Sequence, residues 1–214
     1  MRVPHFRSLR QSDRFCEGFV SPRVLVAGVG NVLFQDDGFG PHAIARLRSE
    51  YEIGEDVELL GLGTPGLDIV DYLVGRDVLI ILDALSSGGE PGEILTFNHQ
   101  QLREYLPNVR LSAHQPCLQQ TLFTAETGGV CPKEVLLVGI VGSSFEVGTE
   151  LGPEVERGMP KALDRIAEIL RQQGVEIRRR AGPLPSDSWW SAQSPPIWQS
   201  CQPTTAPSTP TPPD

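Results

Sequence analysis

The chain has 214 residues, of which 39% are hydrophobic, and a formal net charge of −9 at pH 7. This length fits one folded domain with extensions. The negative charge argues against nucleic-acid binding, because phosphate recognition needs clustered Lys and Arg side chains. No segment approaches the ~18 consecutive apolar residues of a membrane-spanning helix, so membrane insertion is not expected either.

Composition divides the chain into three parts. Residues 1–22 carry four arginines but no continuous apolar run of the kind found in secretory signals, and are predicted to be an N-terminal extension. Residues 181–214 contain nine of the 19 prolines, all three tryptophans and only two charged residues, which predicts a Pro-rich disordered tail. Its tryptophans indicate either a partner-binding motif or an extension without function. Residues 23–180 are the predicted domain.

The cysteines indicate the redox environment. None of the four belongs to a CxxC pair, and they lie far apart at Cys16, Cys117, Cys131 and Cys201. This spacing argues against a disulfide framework and against a zinc ribbon, and it fits a reducing cytoplasm.

Short apolar runs alternate with helical patterns along the predicted domain. Bounded apolar runs predict five strands, at residues 23–29, 56–62, 77–83, 93–97 and 135–141. Helical spacing and Pro or Gly boundaries predict helices at residues 41–51, 67–74, 100–106, 114–125 and 153–173. Strands that alternate with helices imply right-handed crossovers and a mostly parallel sheet. The predicted fold is therefore a three-layer α/β/α domain.

Polar residues occur where three of these elements begin or end. In open α/β sheets, ligands bind beyond the carboxyl ends of the strands. Asp36 and Asp37 lie in the Gly-rich loop after the first strand, Asp83 is predicted to end the third strand, and His114 stands at a loop-to-helix junction. Two carboxylates and one imidazole would leave metal positions open for water or substrate, as in catalytic sites. Such ligands suit Zn, Ni, Co or Mn better than Cu(I).

Each of these residues, taken alone, also has a structural explanation. Asp83 or His114 could cap a loop or helix, and paired aspartates beside glycine are common in turns. A dinucleotide site after the first strand is disfavoured because Leu33 replaces the third glycine of GxGxxG. Cys117 follows His114 by one helical turn, but a small buried residue is the commoner role for such a cysteine.

Two further histidines lie within the predicted domain. His42 is expected at the surface of the first helix, and His99 is expected in a loop or cap position, so neither is predicted as a ligand.

Several motifs in order resemble the hydrogenase maturation proteases over roughly residues 23–175. They are Gly28–Asn31, Asp36–Gly40, Gly63–Gly66, Asp83-Ala84 and His114-Gln115. The resemblance implies an α/β/α sandwich around a twisted five-stranded sheet, and a monomeric protein acting in the cytoplasm. It also implies an endopeptidase of the aspartic or metal-dependent type. Its partner would be the precursor of the [NiFe]-hydrogenase large subunit, which loses its C-terminal peptide after nickel has been inserted.

The resemblance also implies the site residues. The family's metal-binding and catalytic positions fall on Asp37, Asp83 and His114, and Leu62 stands where many members have a glycine. Either a divalent metal of the enzyme drives hydrolysis, or these residues recognise nickel carried by the substrate. The resemblance favours the second as the recognition step. Asp36 is a candidate general base. The alternatives are another metallohydrolase on the same fold and a non-catalytic docking or metal-delivery factor.

Overall fold

The computed structural model describes residues 23–105, 110–111, 115–186, 188 and 190. Its strands are β1 (Val24–Val29), β2 (Tyr51–Ile53), β3 (Val57–Gly63), β4 (Val78–Ser86), β5 (Ile94–Asn98), β6 (Arg110–Leu111), β7 (Glu134–Val141) and β8 (Ile177–Arg179). Its α-helices are α1 (Phe39–Glu50), α2 (His99–Tyr105), α3 (Gln115–Thr127) and α4 (Pro153–Gln172). Two 3-10 helices span Gln35–Gly38 and Leu67–Leu73. Within these described residues, no helix combines the length and the apolar character needed to cross a membrane.

The main sheet has the strand order β3-β1-β4-β7-β5. Strands β1, β3, β4 and β7 pair in parallel, and β5 pairs antiparallel with β7. The short strand β6 adds an antiparallel pairing to the end of β4. The predicted mostly parallel, five-stranded sheet is therefore confirmed.

Alternate residues of the central strands point to opposite faces of the sheet, and helices cover both faces. One core contains Val24, Val26, Ile80 and Val138 together with buried residues of α1 and α4. The other contains Leu25, Ala27, Ile81 and Leu137 together with Leu73, Leu102, Leu122 and Ala125. This alternation is what a strand buried on both faces requires. The three-layer architecture predicted from the sequence is confirmed.

The structure differs from the prediction at strand ends and in one small ribbon. Strand β4 continues three residues past Asp83, to Ser86, because β7 and β6 supply backbone partners along its extension. Strands β2 and β8 form a separate antiparallel pair that the sequence did not indicate. Each strand has only three residues and together they include the charged Glu52, Arg178 and Arg179, so no apolar pattern marks the pair.

The start of α1 lies directly on the end of β1 and the middle of β4. A methyl group added at Gly40 would lie 2.2 Å from the carbonyl oxygen of Val29 and 2.4 Å from that of Leu82. Only a residue without a side chain allows the helix to approach the sheet this closely. Gly40 thus places the segment before α1 at the carboxyl end of β1 and beside the middle of β4.

We expect Gly40→Ala to lower the free energy of unfolding by about 3 kcal/mol, because the added methyl must displace the helix from rigid backbone atoms. Urea unfolding followed by circular dichroism measures this change. Gly61→Ala is the matched control, since nothing lies within 4 Å of the position its methyl would take. Equal stability of the two variants would contradict the close-contact argument.

Candidate functional site

The carboxyl ends of β1 and β3 and the middle of β4 meet at one edge of the sheet. Val29 pairs with Gly63, and Gly28 pairs with Leu82. The amide of Gly30 donates to the carbonyl of Gly63 at 2.7 Å, which joins the loops that follow β1 and β3. The polar segments singled out in the sequence therefore begin side by side.

Asp37 lies in the 3-10 helix Gln35–Gly38 and is 6% exposed. Its Oδ2 atom accepts a hydrogen bond from the amide of Asn31 at 2.7 Å, which closes the loop onto the 3-10 helix. Gly30 has a positive φ of 125°, and a methyl group there would lie 1.8 Å from the carbonyl oxygen of Asp37. The glycine is needed for the loop to bring Asp37 back against the end of β1.

Asp83 is 3% exposed and lies inside β4, where it pairs with Gly139 of β7. The prediction that it ends the strand was wrong, because β4 continues to Ser86. By strand alternation its side chain lies on the same face of the sheet as Ile81 and Leu85, the face that α3 covers. A strand paired on both sides holds this carboxylate rigidly.

His114 lies outside the described residues, so the structure does not test the three predicted ligands as a set. The nearest described residues on either side of His114 are Leu111 and Gln115. Leu111 pairs with Leu85, two residues beyond Asp83, and Gln115 begins α3. The structure therefore brings Asp37 and Asp83 to one edge and places the described flanks of His114 on the same side of the fold.

Asp36 has a different role from the free general base considered from the sequence. Its carboxylate is 0% exposed. Oδ2 accepts hydrogen bonds from the amides of Ser143 and Ser144 at 2.8 and 2.9 Å, and Oδ1 accepts one from the amide of Gly152 at 2.6 Å. Gly152 precedes α4, so the negative charge also lies at the N-terminal end of that helix, where it is stabilised. Asp36 holds the segment between β7 and α4 against the candidate site.

Sequence reasoning missed this 143–152 segment. Ser144 also donates through its hydroxyl to the side chain of Gln35, and the backbones of Phe34 and Gly148 form an isolated parallel bridge. The partners lie more than a hundred positions from Asp36, so local patterns carry no sign of them. The one available signal was the position of Gly142-Ser143-Ser144 directly after a buried strand.

We expect Asp36→Asn to lower the free energy of unfolding by about 3 kcal/mol. The side-chain NH2 group of the asparagine would replace one carboxylate oxygen, and it cannot accept a hydrogen bond from a backbone N–H group. Denaturant unfolding of the variant and of the exposed control Asp71→Asn measures the difference. Wild-type stability in Asp36→Asn would show that the 143–152 segment does not depend on this carboxylate.

His42 is more enclosed than the surface position expected for it. Its Nε2 atom is buried without a hydrogen-bond partner among the described residues, and its ring contacts Trp190 edge-on with centroids 5.9 Å apart. Burial lowers the pKa of His42 below 6.5, and a hydrogen bond with the Thr149 backbone partly opposes this. A cavity of about 600 Å³ adjoins the ring and is lined also by Arg46 and Leu184.

This lowered pKa predicts a pH dependence of stability. The unfolded histidine has the ordinary pKa of 6.5, so below that pH the unfolded state binds more protons than the folded state. The free energy of unfolding that depends on a neutral His42 is therefore fully present above pH 6.5. It is lost as the pH falls through the lower pKa that His42 has in the folded state. We expect His42→Gln to lose less stability than wild type between about pH 7.5 and 5.5, measured by urea unfolding. Parallel stability curves for the two proteins would contradict the assignment.

Comparison with known proteins places this geometry among characterised relatives. The model of the hydrogenase maturation protease family matches residues 41–169. The chain is 34% identical to the hydrogenase expression/formation protein HupD of Bradyrhizobium diazoefficiens over 163 residues, which are 76% of this chain and 85% of that protein. It is also 34% identical to the hydrogenase 2 maturation protease of Escherichia coli over 155 residues, 72% of this chain and 94% of that protein.

Solved structures agree with the sequence matches. The hydrogenase maturating endopeptidase HybD of E. coli superimposes with a TM-score of 0.70 at 34% identity, over 74% of this chain and 98% of that one. The [NiFe] hydrogenase maturation protease HybD of Thermococcus kodakarensis superimposes with a TM-score of 0.59 at 27% identity, over 69% of this chain and 98% of that one.

Proposed function

The chain belongs to the hydrogenase maturation protease family and is a peptidase, and on that premise we propose that it removes the C-terminal peptide of a [NiFe]-hydrogenase large-subunit precursor. The observation that carries the proposal is the convergence of Asp37 and Asp83 at one edge of the sheet. In this proposal the precursor has already received its nickel, and cleavage is the last step of its maturation.

We propose that the metal of the substrate is recognised, and the substrate positioned, by Asp37, Asp83 and His114. Leu111 lies three residues before His114 in the chain and pairs with Leu85, two residues beyond Asp83 in β4. This order in the chain supports the choice of His114 as the third residue of the site. Two carboxylates and an imidazole are a donor set that suits Ni²⁺ and other borderline divalent ions.

The burial of the two carboxylates supports recognition of a cation. A carboxylate removed from water is stabilised when a positive charge or hydrogen-bond donors face it. A nickel ion carried by the precursor would supply that charge, whereas a precursor without nickel would not. Cleavage would then be restricted to precursors that carry nickel. Only the nickel ion offsets the free-energy cost of covering the two carboxylates with the substrate.

The chemistry of peptide hydrolysis needs a polarised carbonyl and an activated water, which a divalent metal supplies when bound. In this scheme the 3-10 helix and β4 hold the carboxylates of Asp37 and Asp83 in fixed positions. The loops after β1 and β3 form the walls of the site. Asp36 is assigned to positioning the 143–152 segment and not to proton transfer, since its oxygens already accept three backbone hydrogen bonds. The alternative source of the chemistry is a divalent metal that the enzyme itself holds in the same site.

A cytoplasmic, monomeric protein that meets its precursor after nickel insertion fits this proposal. The rival function is a non-catalytic factor that docks on the large subunit or delivers its metal. The relatives named as proteases favour cleavage over docking. Another metallohydrolase reaction on the same fold is disfavoured for the same reason.

The decisive experiment incubates the purified protein with nickel-loaded and nickel-free large-subunit precursor. We expect conversion to the shorter subunit only for the loaded precursor, and at least a hundredfold slower conversion by Asp37→Asn, Asp83→Asn and His114→Ala. Gel mobility and mass spectrometry of the product measure the cut. The exposed Asp71→Asn variant controls for the loss of one carboxylate.

One outcome would reject the proposed function, and another would change the residues assigned to its site. Tight binding of the loaded precursor without cleavage would identify a docking factor. Normal processing by any one of the three site variants would remove that residue from the site. Metal analysis of the enzyme before and after it meets the precursor distinguishes a substrate-borne nickel from a metal of its own.

A further inference from the structure

His99, Glu126 and Cys131 form a compact group of three different ligand types. Nε2 of His99 lies 3.0 Å from Oε1 of Glu126, and one potential ligand atom from each of the three residues lies within 4.8 Å of the others. All three side chains are partly buried, so the group is reachable by solvent yet supported by surrounding protein. None of these residues was predicted as a ligand from the sequence.

Rigid elements place each of the three side chains. His99 is the first residue of α2 and follows directly after Asn98, which pairs with Leu136 at the end of β5. Glu126 lies in the last turn of α3. The amide of Cys131 donates to the carbonyl of Ala125 at 3.1 Å, across a turn that contains Gly129 with a φ of 68°. The three ligands are therefore held together before any ion arrives, which is what a metal site requires.

This group lies at the opposite edge of the sheet from the site proposed for cleavage. Cys131 precedes β7, and the first residue of that strand, Glu134, pairs with Val78. Asp83 lies five residues farther along β4, which is about 16 Å of strand. The two groups share no residue, so an ion bound at one cannot be held by the other.

We propose that His99, Glu126 and Cys131 bind a borderline divalent transition metal, with Zn²⁺ as the best fit. One imidazole nitrogen, one carboxylate oxygen and one thiolate are all ligands that Zn²⁺ accepts in tetrahedral sites, and water completes the set. The inference does not depend on the cleavage reaction, because it concerns different residues and a different readout.

The local charges are compatible with binding of a divalent ion. A deprotonated Cys131 and an ionised Glu126 would together neutralise the two positive charges of the metal. Burial raises the pKa of the Cys131 thiol, so binding must release its proton to solvent. Arg103 lies 3.5 Å from Oε2 of Glu126 and balances the negative charge of that carboxylate when no metal is bound. Its side chain is largely exposed, so it can move into solvent when a metal binds.

The test is a titration of the full-length, reduced and EDTA-stripped protein with cobalt chloride, followed by displacement with zinc chloride. We expect the near-ultraviolet absorption of a cobalt–thiolate bond together with visible bands of tetrahedral cobalt, and loss of both on addition of zinc. Zinc at a hundredfold excess over its Kd should also raise the unfolding midpoint by about 5–10 °C.

Variants identify the ligands. Cys131→Ser should abolish the cobalt–thiolate absorption, and His99→Gln and Glu126→Gln should each weaken zinc binding at least tenfold. Cys117→Ser is the matched control, because it removes the cysteine nearest in sequence to His114 and should leave the absorption unchanged. Unfolding of each metal-free variant shows that the fold is retained.

The results that overturn the proposal are equally specific. An absent cobalt–thiolate band in the wild-type protein would reduce the group to a hydrogen-bonded pair of His99 and Glu126. A band that survives in Cys131→Ser but disappears in Cys117→Ser would move the metal to the other edge of the sheet. Unchanged zinc affinity in both His99→Gln and Glu126→Gln would remove those residues as ligands.

Discussion

The buried carboxylate of Asp36 is the interaction on which the carboxyl edge of the sheet depends. It accepts backbone hydrogen bonds from Ser143, Ser144 and Gly152, and so joins the segment before α1 to the segment between β7 and α4. A buried charge is tolerated only when donors surround it, and these donors come from distant parts of the chain. The geometry around Asp37 follows, because Asp37 is the next residue of the same 3-10 helix.

The two adjacent aspartates thus have different surroundings. Asp36 points into the fold and is saturated with hydrogen bonds, whereas Asp37 lies against Asn31 at the edge where β1 ends. Close approach of backbone at Gly30 and Gly40 makes this division possible, since both positions exclude a side chain. The proposed function needs such rigidity, because recognition of a metal by fixed side chains requires that their positions be set before the substrate binds.

The two ends of the sheet have distinct chemistry. The carboxyl edge carries the buried carboxylates of Asp37 and Asp83, while the opposite edge carries His99, Glu126 and Cys131 with their mixed nitrogen, oxygen and sulfur atoms. Helix α3 runs between them, since it begins beside the 110–111 strand and ends at the mixed group. Its 13 residues span about 20 Å, so one helix links both edges.

The sequence by itself determined the fold class, the family and the order of the elements, because buried strands and amphipathic helices leave local apolar patterns. It also marked Asp37 and Asp83, since carboxylates beside apolar runs stand out. Only the tertiary structure decided that Asp83 lies inside β4 and that Asp36 holds the 143–152 segment by hydrogen bonds. It also decided that His99, Glu126 and Cys131 lie close together. Those contacts join residues that are distant in the chain, and short-range patterns carry no information about which distant partners will come together.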